Sequence, residues 1–476
     1  MRAPLLPMPS SPDIHVVILA AGKGTRMKSS VPKVLHPVAG VPLIGHVLRA
    51  AAPLDAASTV VVIGHGGDAV QAALADWPGL QFVVQSPQLG TGHAVLQAEP
   101  ALAGRRGILL LLYGDVPLLQ ANTLRRLVEQ HRGTKAAATV LTSVVDDAYG
   151  YGRIVRDSDG RVTRIVEERD ASADERTIRE VNSGIYAFDL DPLFDALHGL
   201  ATDNAQGEYY LTDVVAAYHR RGRRVDAMCL ENAAELRGVN SRVDLADLTR
   251  ALRTRKRQAL MLAGVTLEDP ETAYIDEDVR IGADTTIGPG VRLTGRTTIG
   301  DGCRIEAGVR ITDSSLGDAV MILDHSVITD STIASGASVG PLAHLRPKSS
   351  VAENARVGNF VELKNTQLGA GSKANHLTYL GDATIGARVN IGAGTITCNY
   401  DGERKHRTVI GDDVFVGSDS QLVAPVTIGA DAYVASGSVI TEDVPDGALA
   451  FGRARQSTKE GRGRELRARL AAAKKK

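Results

Sequence analysis

The 476-residue chain has only three cysteines, Cys229, Cys303 and Cys398. An odd number of widely spaced thiols makes neither a disulfide framework nor a zinc site, and it suits a reducing cytosol. An excess of charge of one sign is also lacking, since 54 Lys and Arg residues face 55 Asp and Glu residues. Because proteins that bind nucleic acid or membrane surfaces need clustered positive charge, we expect neither partner, and a cytoplasmic location.

Long apolar runs are absent as well. The strongest one, Ile108–Tyr113, is far too short to span a bilayer. Prolines interrupt residues 1–13, so this segment is predicted to be a loose extension rather than a signal peptide.

Aromatic residues make up only 4% of the chain, whereas glycine contributes 49 residues. We therefore expect aliphatic cores and a backbone that requires glycine at many positions.

The first half of the chain predicts an α/β domain over residues 14–240, because the full length exceeds what one core supports. Short β-branched runs, beginning near Ile14, Thr59, Phe82 and Ile108, alternate with helix-like stretches. This alternation indicates a Rossmann-like, mostly parallel sheet that is covered on both faces. Ligands bind beyond the carboxyl ends of the strands in such sheets, so the residues that follow each strand are the candidate site.

Two segments that follow predicted strands suit a phosphate site. Leu19-Ala-Ala-Gly-Lys-Gly-Thr-Arg-Met27 has small residues that let backbone N–H groups approach phosphate oxygens. It matches neither the dehydrogenase nor the P-loop consensus, so both classes are disfavoured. Asp115, in Tyr113-Gly-Asp115, is a carboxylate placed for a divalent cation. The alternatives are a plain glycine turn and a turn or cap carboxylate.

Taken together with Gln85 and Leu89-Gly-Thr-Gly-His93, these segments resemble the sugar-1-phosphate nucleotidyltransferases. The later Glu167, Asn182 and Asn240 follow in the order found in N-acetylglucosamine-1-phosphate uridyltransferases. The resemblance implies a UTP pocket lined by Leu19, Ala20, Ala21, Gly22, Lys33, Gln85, Gly90 and Thr91. It implies contacts to the sugar phosphate and neighbouring nucleotide groups from Tyr113, Gly114, Gly152, Glu167 and Asn182. Mg²⁺ would be held by Asp115 and Asn240.

A helical joint is predicted over residues 241–264. Apolar residues recur at helical spacing from Val243 to Leu260, a serine precedes them, and Gly264 is a stop signal. The basic string Arg253-Thr-Arg-Lys-Arg257 could bind a polyanion, but a solvated helix face is the favoured interpretation.

The second half, residues 265–454, repeats an aliphatic residue every six positions. The series is Ile281, Ile287, Leu293, Ile299, Ile305, Ile311, then Leu316, Ile322, Ile328, then Ile333, Val339, Leu345, Val351, Val357, Leu363, then Leu368, Ala374, Leu380, then Ile385, Ile391, and after a break Ile410, Val416, Leu422, Ile428, Val434, Ile440. Neither a helix nor an ordinary strand has this period. It predicts a chain that coils into a prism with aliphatic side chains stacked inside. The pattern resembles the left-handed parallel β-helix of the hexapeptide acyltransferases.

The interruptions of the repeat are the candidate acyl-transfer site. The rhythm is expected to stop after Ile391 for a polar excursion that ends at Arg407, and excursions from a solenoid usually form binding loops. His376 lies beside Ala374, the inward position without a large side chain. A lone histidine is ordinarily structural, but imidazole also titrates near working pH and suits a general base.

The segments Phe360-Val-Glu-Leu-Lys364, Lys373 to Asp382 and Cys398-Asn-Tyr-Asp-Gly402 resemble glucosamine-1-phosphate acetyltransferases that are fused to such a uridyltransferase. The resemblance implies that His376 is the catalytic base and that Arg346, Lys364, Tyr379 and Asn390 bind glucosamine-1-phosphate. Acetyl-CoA would lie along Ala393, Asn399, Tyr400, Ser418, Ser436 and Arg453, with Ser436 standing where a smaller residue is expected. It also implies a homotrimer, while the basic tail 455–476 lies mostly outside the match.

The implied activities are acetyl transfer from acetyl-CoA to glucosamine-1-phosphate and uridylyl transfer from UTP to N-acetylglucosamine-1-phosphate, which yields UDP-N-acetylglucosamine. One alternative is a nucleotidyltransferase whose coil only mediates oligomerisation or regulation. Another is a scaffold with a vestigial sugar-nucleotide pocket. His376 with Tyr379 disfavours the first alternative, and Asp115 with Asn240 disfavours the second.

Overall fold

The computed structural model describes residues 13–474, so the predicted extension 1–13 lies almost wholly outside the described part. The chain forms two compact units, one ending at Thr254 and the other beginning at Arg255. This division falls inside the segment predicted as a helical joint, which is helical from Arg242 to Leu262. No described helix is both long and apolar enough to cross a membrane.

The first unit is built on a mixed sheet in the order β11-β7-β10-β6-β1-β4-β5, with β8 paired to β10 and β9 paired to β8. Strands β1, β4, β5 and β6 are parallel, whereas β10 runs antiparallel to both of its neighbours, β6 and β7. The strands are β1 Ile14–Leu19, β2 Pro37–Val38, β3 Val41–Pro42, β4 Ser58–Ile63, β5 Leu80–Val84, β6 Ile108–Tyr113, β7 Ala138–Val144, β8 Arg153–Arg156, β9 Val162–Val166, β10 Glu180–Asp189 and β11 Val225–Leu230.

Helices cover both faces of this sheet. As a result, alternate residues of its central strands belong to separate hydrophobic cores. Val17 and Leu19 belong to one core, and Val16 and Ile18 to the other. The helices are α1 Leu43–Ala51, α2 Gly67–Ala73, α3 Thr91–Leu96, α4 Glu99–Leu102, α5 Ala121–Thr134, α6 Ala173–Arg176, α7 Leu190–His198, α8 Asp213–Arg220 and α9 Arg242–Leu262, with 3-10 turns at Thr25–Met27, Lys33–Leu35, Ala52–Leu54 and Ala233–Leu236. The predicted two-faced α/β architecture is confirmed.

The second unit is a left-handed β-helix of hexapeptide repeats, as predicted. Its short strands stack in parallel on three faces. The first face contains Thr266–Leu267, Thr286–Ile287, Arg304–Ile305, Met321–Ile322, Ser338–Val339, Arg356–Asn359, Lys373–His376, Asn390–Ile391, Phe415–Val416, Tyr433–Val434 and Leu449–Ala450. The second contains Tyr274–Ile275, Arg292–Thr294, Arg310–Thr312, Val327–Thr329, His344–Leu345, Glu362–Lys364, Tyr379–Gly381, Ile396–Cys398, Gln421–Val423 and Val439–Ile440. The third contains Arg280–Ile281, Thr298–Ile299, Ser315–Leu316, Ser331–Ile333, Ser349–Val351, Gln367–Leu368, Ala383–Ile385, Thr408–Ile410 and Val426–Ile428.

The six-residue series points into the prism. Every member is buried except Ile281, which packs partly exposed against the same core. Small side chains two positions earlier, such as Val279, Thr285 and Cys303, are buried with them. Backbone hydrogen bonds join each coil to the next, so the aliphatic stack and the sheet ladders reinforce one another. Beyond the coil, the exposed helix α10, Arg462–Ala473, lies in the basic tail.

Two expectations about this unit are wrong. The repeat does not stop after Ile391, because Thr397 takes the next inward position, pairs with Leu422 and is 1% exposed. Its hydroxyl exchanges hydrogen bonds with the backbone of Gly381, which makes a polar residue tolerable there. The basic string is not a uniformly solvated helix face either. Arg257 is buried, donates to the carbonyl oxygen of Pro270 and pairs with Glu271.

The histidine His131 on α5 makes the stability of the first unit depend on pH. Its ring is buried against the Thr139 hydroxyl, at 2.9 Å, and burial lowers its pKa from 6.5 to about 4. Below pH 6.5 the unfolded chain therefore takes up a proton that the folded protein accepts only near pH 4. We expect the free energy of unfolding to fall across this window as the pH falls.

The measurement is urea unfolding between pH 7 and pH 4 for the wild type, His131→Asn and His219→Asn. His131→Asn should flatten the decrease in stability, whereas His219→Asn, which changes an exposed histidine of α8, should not. Equal slopes for the wild type and His131→Asn would contradict the assignment.

Candidate active sites

Two predicted ligand-binding segments meet at the carboxyl edge of the first sheet. Leu19 and Tyr113 are in-register partners at the ends of β1 and β6. The backbone N–H of Gly114 donates to the carbonyl oxygen of Leu19 at 3.0 Å, which brings the glycine loop beside Tyr113-Gly-Asp115. This proximity follows from parallel pairing, because strands that run side by side end at the same edge.

A cavity of about 370 Å³ opens at this edge. The predicted residues that line it are Leu19, Ala20, Ala21, Gly22, Lys33, Gln85, Gly90, Thr91, Tyr113, Asp115 and Asn240. Sequence reasoning missed Val34, Gln88, Ala94 and Glu208, which also line it. Of these, Gln88 had a usable signal, since it lies in the same segment as Gln85 and donates to the carbonyl oxygen of Ala21.

Gly90 is required by the wall of this cavity. Its φ is +107°, and a Cβ there would lie 2.7 Å from the carbonyl oxygen of Tyr209. The Gly92 N–H donates to that same oxygen at 2.8 Å, and Thr91 Oγ1 accepts from the N–H of Leu211 at 3.1 Å. The start of α3 is thus fixed to a loop distant in sequence, which also brings Glu208 to the cavity.

A second cavity of about 500 Å³ adjoins the first and shares Tyr113, Asp115 and Asn240 with it. Its other lining residues are Arg26, Val116, Tyr149, Gly150, Tyr151, Ser183, Leu236, Arg237, Gly238 and Asp244. Two adjoining compartments that share a carboxylate and an amide suit two ligands whose reacting groups meet between them.

Two cationic side chains contact Asp115 and Asn240, the residues that line both cavities. Lys33 Nζ forms an ion pair with Asp115 Oδ2, and Arg26 donates to Asn240 Oδ1 at 3.0 Å. Asn240 is held by the start of α9, where the Asp244 carboxylate accepts from the N–H groups of Asn240 and Ser241. Asp115 and Asn240 therefore present oxygens from fixed backbone positions to one space.

Gly152, Glu167 and Asn182 form a cluster that lines neither cavity directly. A Cβ on Gly152 would lie 3.6 Å from both Glu167 Cδ and Asn182 Cβ. Burial raises the pKa of Glu167, and the hydrogen bond from Thr212 only partly offsets this. Burial, then the charges of Glu167 and Asp115, raise the pKa of Tyr113, so the cluster lies in electrostatic contact with the shared wall of the cavities.

On the prism, the structure places His376 at the end of its strand on the first face. Its imidazole is exposed, and Nδ1 lies 2.7 Å from Asn359 Oδ1 on the preceding coil. Asn390 is on the following coil of the same face, in register with Lys373. Ala374 is fully buried behind His376, so the strand is anchored while the imidazole faces outward.

The predicted phosphate-binding cations lie on adjacent coils of the second face. Arg346 pairs with Glu362 at 2.9 Å, and Lys364 Nζ lies 3.4 Å from Asp382 Oδ2. Burial would raise the pKa of Asp382, but hydrogen bonds from Asn365 and Asn399, with Lys364, outweigh it and leave the pKa lowered. Tyr379 lies in the same patch, since a Cβ on Gly381 would collide with its hydroxyl.

The predicted acetyl-CoA residues follow one edge of the prism. Asp419 donates its N–H to the carbonyl oxygen of Ala393, and Gly437 donates to that of Ser418, so these corners stack. Ser436 lies beside Gly417, and Arg453 beside Gly437. Asn399 and Tyr400 differ from each other in exposure. Asn399 is buried, and its amide donates to Asp382 at 2.6 Å, whereas the Tyr400 side chain is 60% exposed.

Models of known protein families match segments in both halves of the chain. A family model for a MobA-like NTP transferase domain matches residues 16–170, one for a GMPPB C-terminal domain matches 269–346, and one for bacterial transferase hexapeptide repeats matches 407–442.

Three full-length relatives, each named bifunctional protein GlmU, are similar to this chain. The protein of Pelobacter propionicus is 52% identical over 449 residues, which are 94% of this chain and 98% of the relative. That of Trichlorobacter lovleyi is 53% identical over 445 residues, with 94% and 97% covered. That of Syntrophotalea carbinolica is 55% identical over 444 residues, with 93% and 95% covered.

Gly184 offers a test of the shared wall at Tyr113. Its φ is +81°, and a Cβ there would lie 2.7 Å from Tyr113 Cε2, so Gly184→Ala should displace the ring. We expect the affinity for UTP, measured by calorimetry, to fall about tenfold, which is about 1.4 kcal/mol. Gly160→Ala has a similar φ of +78° but meets no atom within 4 Å, and it should bind UTP normally. Equal affinity for both variants would show that Tyr113 does not define the cavity.

Proposed function

Because this chain belongs to the GlmU family of bifunctional proteins, we propose that its two units carry the two reactions separately, over residues 14–240 and 265–454. The protein is an enzyme with both activities: it transfers acetyl from acetyl-CoA to glucosamine-1-phosphate, and uridylyl from UTP to N-acetylglucosamine-1-phosphate. The observation that carries the assignment is the identity of about half of all residues across both units. A nucleotidyltransferase with an inert coil is not favoured.

In the uridylyl step, an oxygen of the sugar phosphate attacks the α-phosphorus of UTP, and the bond to pyrophosphate breaks. The nucleophile is already an anion, so no general base is needed, and charge repulsion is the main barrier. UTP would occupy the cavity bounded by the glycine loop, and the sugar phosphate the adjoining one, so the reacting atoms meet near Asp115. Lys33 and Arg26 would supply positive charge there.

Mg²⁺ fits the residues present at this meeting point. Asp115 and Asn240 offer one carboxylate and one amide oxygen, each now facing a cationic side chain. No group of three or more His, Cys, Asp or Glu that could hold a metal is found among residues 13–474. That agrees with Mg²⁺, which uses few protein oxygens and completes its shell with phosphate and water. When bound, it would neutralise charge on the triphosphate.

In the acetyl step, the amine of glucosamine-1-phosphate attacks the thioester carbonyl, a C–N bond forms and the C–S bond breaks. His376 would accept the amine proton through Nε2 and pass it to the departing thiolate. Arg346 and Lys364 would bind the sugar phosphate, and Tyr379 and Asn390 the sugar. The pantetheine chain would follow the stacked corners at Ala393, Ser418 and Ser436.

The enzyme acts on small molecules, and its hexapeptide β-helix suggests oligomerisation. We further propose a homotrimer in which coils of neighbouring subunits complete the acetyl-transfer site. A cytoplasmic location is supported by the chemistry of its substrates and by the three cysteines, all free thiols.

The two activities should be lost separately. Asp115→Asn is expected to reduce UTP-dependent pyrophosphate release by at least about 100-fold, because the metal-binding carboxylate is gone, while CoA release persists. His376→Ala should do the reverse, with CoA release lowered by about 100-fold or more. Asp159→Asn and His325→Ala, exposed positions of the two units, are the matched controls and should keep both activities. Near-normal CoA release by His376→Ala would refute its role as the base.

The sugar preference provides a separate measurement. With UTP and Mg²⁺, N-acetylglucosamine-1-phosphate should be used at a much higher kcat/KM than glucose-1-phosphate, because a site that binds the acetamido group leaves polar groups unpaired with glucose. Preference for glucose-1-phosphate would instead place the enzyme with the related glucose-specific transferases.

A further inference from the structure

We infer that Asn359 is the positioning residue for the imidazole of His376, an inference that rests on the proposed role of His376 as the base. The two residues are in-register partners on adjacent coils of the first face. His376 Nδ1 lies 2.7 Å from Asn359 Oδ1. Because a carboxamide oxygen can only accept a hydrogen bond, Nδ1 carries the hydrogen and Nε2 keeps its lone pair.

The backbone around this pair is held at both ends. Asn359 and His376 are each the last residue of their strand, and the following residues, Phe360 and Leu377, have φ of 56° and 48°. The Leu377 N–H donates to the carbonyl oxygen of Asn359 at 3.1 Å, and the Thr378 hydroxyl donates to that of His376 at 2.7 Å. The hydrogen bond thus joins two side chains on a fixed framework, and it orients the ring itself.

The accepting side of the imidazole is left open. Among residues 13–474, Nε2 has no hydrogen-bond partner, and the ring is exposed. The base atom is therefore free to accept a proton from the amine of glucosamine-1-phosphate. On the paired strands, the other charged side chains are Arg356 and Lys373, at the opposite ends of the strands from the imidazole.

A neutral partner has a chemical consequence. An aspartate in place of Asn359 would fix the same tautomer but would also favour the protonated imidazole, which cannot accept the amine proton. The carboxamide selects the Nδ1–H tautomer without adding a negative charge beside the ring. The proton accepted at Nε2 can then pass to the sulfur of the departing CoA thiolate, which completes the transfer.

The test compares Asn359→Ala and Asn359→Asp with the wild type in the acetyl-transfer assay, from pH 5.5 to pH 9. Asn359→Ala should lower kcat by about 10- to 100-fold, with little change in KM for acetyl-CoA, because the ring is no longer held. Asn359→Asp should recover most of the activity at alkaline pH, with the acid limb of its profile moved to higher pH. A purely structural role would not produce that shift.

Controls separate this inference from folding and from the proposed function. Uridylyl transfer by each variant reports on the first unit, and thermal unfolding reports on the coil. Asn375→Ala changes the neighbouring asparagine, whose side chain makes no hydrogen bond to the imidazole, and should keep the wild-type profile. Wild-type kcat in Asn359→Ala, or equal losses in both Asn359 variants at every pH, would overturn the positioning role while His376→Ala remains inactive. Activity in His376→Ala would overturn the base assignment itself.

Discussion

In-register parallel pairing of strands is the constraint on which both sites depend. In the first unit it sets Leu19 opposite Tyr113, so two segments far apart in sequence end at one edge of the sheet. In the second unit it sets Asn359 opposite His376 and Lys364 opposite Gly381. A slip of one residue would turn each of these side chains to the other face. The buried aliphatic residues of the same strands make such a slip costly in free energy. The hydrophobic cores therefore fix the positions of the site residues.

Pairing of cations with carboxylates is the second shared feature. Lys33 faces Asp115, Arg346 faces Glu362, and Lys364 faces Asp382. Both reactions use phosphorylated substrates, so both sites need positive charge. A cation that is already oriented by a carboxylate loses less conformational entropy when a phosphate arrives. The carboxylates of such a site would repel the phosphate if they were left unpaired, and the amides of Asn365 and Asn399 donate hydrogen bonds to the Asp382 carboxylate.

Much of this arrangement could be predicted from the sequence, where the signal is local and periodic. The glycine loop, Tyr113-Gly-Asp115 and the six-residue aliphatic series are such signals, and the structure places them as expected. Thr397 was missed because its polar side chain gives no apolar signal at an inward position. Its hydroxyl is satisfied by the backbone of Gly381, an interaction that only the stacked coils reveal.

Contacts created by tertiary packing could not be predicted. Glu208 reaches the first cavity only because the loop that contains Tyr209 packs against Gly90. Arg257 belongs to a basic string that predicts a solvated helix face, yet its side chain is buried against Pro270 and Glu271. Asn359 stands one residue before the segment that carries the acetyltransferase resemblance. Its contact with His376 exists only because adjacent coils stack in register.

A structure of the protein with UDP-N-acetylglucosamine and coenzyme A bound together tests most directly whether each unit houses its own reaction. The nucleotide should lie against Lys33, Tyr113 and Asn240, with coenzyme A along Ala393 and Ser418 and its sulfur near His376 Nε2. Both ligands in one unit, or coenzyme A remote from His376, would contradict the account.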